Sequence, residues 1–86
     1  MKQFTYTINE EKGLSSHAAG LLAKQAKQFA ALCSIANEDG ASKKFSQIMG
    51  VMSLRVKRGD VVTVTADGED EEEAIVSLKK LFYKHL

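Results

Sequence analysis

The chain has 86 residues, with 12 Lys and Arg against 11 Asp and Glu and a formal charge of +1, so no whole-chain field draws it to nucleic acid or to a membrane surface. At 44% hydrophobic and 27% charged it has the composition of one small globular domain spanning residues 1–86, which excludes wholesale disorder and a second core. No apolar run reaches the length of a bilayer span, and Met1-Lys2-Gln3 opens no signal peptide, so a cytoplasmic protein is expected.

Residues 2–8 alternate, with Phe4, Tyr6 and Ile8 on one face and Lys2, Thr5 and Thr7 nearer the other, which predicts a half-buried strand. From Ser15 the spacing changes. Ala18 or Ala19, Leu22, Ala26 and Phe29 recur at three and four residues, predicting an amphipathic helix of about four turns with Ser15 or Ser16 as its N-cap. Residues 31–37 predict a second strand with Cys33 and Ile35 on one face. Asp39-Gly40 then predicts a hairpin turn into a short strand over Ser42–Phe45. The apolar run Gln47–Leu54 reads as a short helix capped by Ser46, and Val61–Ala66 as a strand. In the last helix Ala74, Ile75, Leu78, Leu81 and Phe82 recur at helical spacing. Glu71, Glu72 and Glu73 open it and Lys79, Lys80, Lys84 and His85 close it, which suits the helix dipole at both ends. The order β-α-β-β-α-β-α fits an α+β fold, with helices on one face of a four-stranded antiparallel sheet.

Cys33 is the single cysteine, and the two histidines lie at opposite ends of the chain. Neither a disulfide framework nor a metal site is expected, and no other cofactor is implied. Cys33 reads as a small buried hydrophobe. No base–nucleophile pair stands out, so an independent enzyme is not expected.

Three stretches of the chain resemble the HPr family, the small phosphocarriers of the bacterial sugar phosphotransferase system. Gly13-Leu14, followed after three residues by Ala18-Ala19-Gly20-Leu21-Leu22, is similar to the family's G-[LI]-H-A-R-P-A opening of the first helix. Ser46-Gln47-Ile48-Met49-Gly50-Val51-Met52-Ser53-Leu54 resembles its S-I-M-G-V-M-S-L segment, and the Ala66-Asp67-Gly68 turn leads into the last helix as in the family. The resemblance implies an open-faced β-sandwich. It also implies a histidine that takes a phosphoryl group from enzyme I and gives it to enzyme IIA, but at that position this chain has Ser15. The family's arginine two residues on is His17 here, and its proline is Ala18. The regulatory serine of many Gram-positive relatives falls on Gln47, with Ser46 one residue earlier. Arg55 stands where the family commonly has glycine near the active centre. The resemblance further implies an apolar docking surface around Gly20, Leu21, Lys24, Ile48, Met49 and Met52, which Lys27 would border.

A histidine phosphoramidate passes its phosphoryl group on, whereas a serine ester is stable, so Ser15 is no substitute in a reversible relay. The free N–H groups of the first helical turn, with Ser16 and the Arg55 guanidinium, could still receive an anion. His17 is the other candidate acceptor, although two residues along a helix is roughly a 200° rotation. Each residue also has a plainer reading: Ser15 and Ser16 as caps, His17 and Arg55 as solvated surface groups, and the Met residues as core. Three functions remain open: a regulatory or docking protein for enzyme I, enzyme IIA or regulators; a carrier using His17; and a kinase substrate at Ser15, Ser16 or Ser46. A monomer is expected.

Overall fold

Seven elements follow in the expected order in the computed structural model, which describes residues 1–86: β1 (Lys2–Thr7), α1 (Ser16–Ala26), β2 (Leu32–Ala36), β3 (Ser42–Lys44), α2 (Ile48–Ser53), β4 (Val61–Asp67) and α3 (Glu71–His85). The strands form one sheet in the order β1-β4-β2-β3, antiparallel throughout. Val64 of β4 faces Phe4 of β1 on one side and Ile35 of β2 on the other. Since both neighbours run against β4, β1 and β2 are parallel to each other. A tight turn cannot join parallel strands, so α1 serves as their crossover.

Period-two alternation decides which sheet face is covered. Val62, Val64 and Ala66 are buried while Thr63 and Thr65 between them are not, and Cys33 and Ile35 continue the buried face on β2. Onto this face α3 lays Ala74, Leu78 and Phe82 at four-residue spacing, and α1 lays Ala18, Ala19, Leu22 and Ala23. The Phe82 ring meets Phe4 and Tyr6 edge-on, with centroids 5.5 Å away in each case. Burial pushes the Cys33 thiol pKa upward, and the nearby Asp70 charge adds in the same direction, so the residue is an inert part of the core.

The structure corrects four local expectations. Helix α1 has 11 residues, close to three turns, and Phe29 lies beyond its end. Lys2 shares the face of Phe4, not of Thr5, because side chains two apart along a strand point the same way; its Nζ lies 3.6 Å from Glu72 Oε1 on α3. Strand β3 stops at Lys44, and Phe45 turns into the core. Ser46 does not cap α2. The N-cap is Gln47, whose side chain makes no capping bond and whose N–H donates to Lys44 O at 2.9 Å, a tight turn that leaves Ser46 outside the helix.

The early end of α1 has a partner in the sequence 40 residues away. Asp70 accepts the Ala30 N–H and the Ala31 N–H, each at 2.8 Å, one on each carboxylate oxygen. Gly68 lies against the same place, and a Cβ on it would stand 2.6 Å from Ala31 Cα. The Ala30 bond, with that of Ala31, holds the Asp70 carboxyl below its ordinary pKa of 3.8 despite the opposing effect of desolvation. A depressed native pKa gives stability that is fully present above the ordinary value and fades as pH falls below 3.8 through the native one. Urea unfolding of the wild type is therefore expected to lose midpoint more steeply below pH 4 than that of Asp70→Asn. Parallel curves for the two proteins would show that the clamp carries no such linkage.

Candidate functional site

Ser15 is the N-cap of α1, with extended backbone at φ −75° and ψ 167°. Its hydroxyl accepts the Ala18 N–H at 3.3 Å, the bond expected of a serine at this position. The Ser16 and His17 amides find no acceptor within the chain, and both residues are exposed. An anion at this end of the helix would meet two free donors and the positive end of the dipole.

A second segment is pinned against this helix entry. The Leu14 N–H donates to Val56 O at 3.2 Å. Gly13, at φ +67°, sits so close that a Cβ would stand 2.4 Å from the same carbonyl oxygen. The Leu14–Val56 bond therefore brings Arg55, one residue before Val56, to the end of the molecule that holds Ser15. Arg55 is exposed, its guanidinium forms no ion pair within the chain, and its backbone is left-handed at φ 52°. Such a conformation costs a non-glycine residue about 1–2 kcal/mol. Arg55→Gly removes that strain but gives the unfolded chain about 0.4–1 kcal/mol of extra freedom. The net expectation is a gain of up to about 1.6 kcal/mol in urea unfolding. A loss of stability would mean that the arginine side chain makes compensating contacts.

The remaining candidates lie on adjoining helices. Gly20, Leu21 and Lys24 follow His17 along the outer side of α1, opposite the buried Ala19, Leu22 and Ala23. On α2, which packs beside α1, Met49 is 85% exposed and Ile48 40%, Met52 is half-buried, and Val51 is core. Lys24 and Lys27 are exposed. Gln47 stands at the start of α2, and the exposed Ser46 lines a shallow cleft of about 110 Å³ with Lys27, Leu32 and Cys33.

The structure thus gathers the sequence-predicted residues into two adjacent regions, one at the mouth of α1 and one across α1 and α2. Sequence reading missed the Val56 carbonyl that links the helix entry to Arg55. It also missed the left-handed backbone of Arg55, for which an arginine gives no signal. No three His, Cys, Asp or Glu side chains are grouped to hold a metal ion, and no helix is long and apolar enough to cross a membrane.

This open-faced α+β sandwich is shared with a known class of protein. Residues 2–84 match the family described as PTS HPr component phosphorylation site. The phosphocarrier protein HPr of Mycoplasma genitalium is 32% identical over 85 residues, covering 99% of this chain and 97% of that one. A solved histidine-containing phosphocarrier protein of Mycoplasma superposes with a TM-score of 0.91 at 30% identity, over 96% of this chain and 93% of the other. Crh of Bacillus subtilis, a catabolite repression HPr, is 32% identical with a TM-score of 0.76, over 100% and 98% of the two chains. The chain belongs to the HPr family of the bacterial phosphotransferase system, whose named members are phosphocarriers and not enzymes in their own right.

Proposed function

We propose that this chain is a docking and regulatory member of the HPr family, a monomeric single domain of the cytoplasm that binds phosphotransferase-system proteins without relaying phosphate. The observation that carries this reading is Ser15. It occupies the position of the family's phosphoryl-accepting histidine, and its hydroxyl accepts the Ala18 N–H as the helix cap. Phosphorylation there would form a stable ester and end the relay. The regulatory serine position carries Gln47, which has no hydroxyl to modify, so the family's other switch is also absent.

What supports docking is the apolar patch of Leu21, Ile48, Met49 and Met52 beside Lys24 and Lys27. Unbranched Met side chains adapt to differently shaped partners, and charge complementarity favours acidic ones. Proteins resembling enzyme I, enzyme IIA and transcriptional or metabolic regulators are the proposed partners. The similarity to Crh, named for catabolite repression, points the same way.

A second reading rests on His17. It is exposed in the first turn of α1, whose Ser16 and His17 amides are free, at the end of the molecule that holds Arg55. There the chain would act as a carrier with a rearranged centre, His17 accepting from enzyme I and Ser16 and Arg55 holding the phosphoryl oxygens.

Incubation with enzyme I and phosphoenolpyruvate separates the readings. The docking reading expects an enzyme I complex and no phosphoryl adduct. An acid-labile, base-stable adduct that disappears in His17→Ala would replace it with the carrier. Acid-stable label on Ser15, Ser16 or Ser46 from a cell extract would mark a kinase substrate.

A further inference from the structure

The two edges of the sheet differ in what they offer another chain. Strand β3 ends one edge with only three residues, Ser42, Lys43 and Lys44, and both shortness and charge deter pairing there. Strand β1 ends the other with six residues in unbroken antiparallel register with β4. The direction of its backbone groups follows from the residue after it. The Ile8 N–H donates to Asp60 O at 2.9 Å, and Ile8 O accepts the Gly59 N–H at 2.8 Å. Backbone groups alternate along a strand, so Lys2, Phe4 and Tyr6 also turn theirs to β4. Gln3, Thr5 and Thr7 turn N–H and C=O outward, where no further strand follows. Their side chains are exposed and uncharged. Lys2, the only charged residue of β1, keeps its ammonium on Glu72, and the chain contains no proline to interrupt the edge.

We propose that the β1 edge pairs with the β1 edge of a second copy of this chain, in a reversible two-fold dimer whose sheet runs through both copies. In the antiparallel register that uses all the outward residues, Thr5 faces its counterpart and Gln3 faces Thr7 of the second copy. Every outward N–H and C=O is then bonded. On the helix side Phe4 comes opposite Tyr6 of the second copy, an aromatic pair formed twice, and both rings are only half-buried in the single chain. What selects a second copy is α3, which runs along β1 from Glu72 beside Lys2 to Phe82 and Tyr83 beside Tyr6. The two-fold axis lays the two α3 helices head to tail. Glu71, Glu72 and Glu73 of each copy then point toward the end that carries Lys84 and His85 in the other. The docking patch on α1 and α2 lies toward the β3 edge and stays open. Self-association of this kind is independent of docking, and the monomer proposed above is its dilute form.

Sedimentation equilibrium between about 10 µM and about 1 mM is expected to pass from monomer to mostly dimer, as suits a small interface. Over the same range amide exchange at Gln3, Thr5 and Thr7 should slow about fivefold, while Phe4 and Tyr6, already bonded to β4, should not change. Thr5→Pro removes an outward N–H and leaves the β4 ladder intact, and Thr5→Lys sets like charges opposite each other. Both variants are expected to remain monomeric at about 1 mM, at least about tenfold weaker in self-association. A wild type that stays monomeric at about 1 mM overturns the dimer. So does a dimer that persists in Thr5→Lys, the variant that decides should Thr5→Pro fail to fold. Exchange that slows at other amides and not at Gln3, Thr5 and Thr7 overturns it as well.

Discussion

Ser15→His is expected to turn the chain into a phosphoryl acceptor, raising acid-labile labelling by enzyme I and phosphoenolpyruvate at least about a hundredfold. Ser15 has extended cap backbone, and the Ser16 and His17 amides behind it are free, so a phosphoryl group on a ring at position 15 would meet two donors. Arg55 lies at the same end, where its guanidinium would supply the positive charge that the family resemblance assigns to the motif arginine. The exchange removes the bond from the Ala18 N–H to the hydroxyl, and a lost cap costs about 1 kcal/mol. The variant should therefore be slightly less stable in urea while gaining label. Ser15→His,His17→Arg should label more strongly still. If neither variant takes label although enzyme I binds, the mouth of α1 is not competent and more than the imidazole has been lost.

The second large effect is on stability. Gly13→Ala is expected to cost about 2–5 kcal/mol, the sum of a left-handed alanine and a clash that cannot be relieved cheaply. The atom in the way is the Val56 carbonyl oxygen at 2.4 Å, with Lys57 Cα at 2.9 Å behind it, and both belong to the backbone. Relief would require the α1 entry to move off the segment after α2, breaking the Leu14–Val56 bond and carrying Ser15 away from Arg55. Gly40→Ala is the control. Gly40 has φ +89° but nothing within 4 Å of its Cβ position, so its cost should stop near the left-handed penalty of about 1–2 kcal/mol. Equal midpoints for the two variants in chemical denaturation would show that the close approach is not what keeps glycine at position 13.

Much of the fold was legible because it is written in local periodicity. Val61 to Ala66 alternates so regularly that the strand and its buried face follow directly, and α3 announces itself through Ala74, Leu78 and Phe82 between acidic and basic ends. The element order followed from these runs, and the motif stretches placed Ser15, His17 and Gln47. At the end of α1 the deciding contact came from another part of the chain, while the slips at Lys2 and Ser46 were settled by local geometry. Phe29 fits the helical spacing of α1, yet the helix ends before it, and the Ala30 and Ala31 amides are held by Asp70. Ser46 has the chemistry of a cap, but the turn out of β3 gives that place to Gln47, which cannot fill it with a side-chain bond.

The amino-acid sequence by itself determined which chemistry is available: a serine in place of a histidine after Gly13-Leu14, a glutamine after Ser46, and a Met-bearing apolar run between lysines. Those are properties of side chains, and they hold wherever the chain places them. Only the tertiary structure decided that Arg55 shares an end with Ser15 and that Gly13 yields its side chain to a carbonyl 43 positions later. Such facts depend on distances between residues far apart in the chain, and periodicity, which acts over a few residues, carries no record of them.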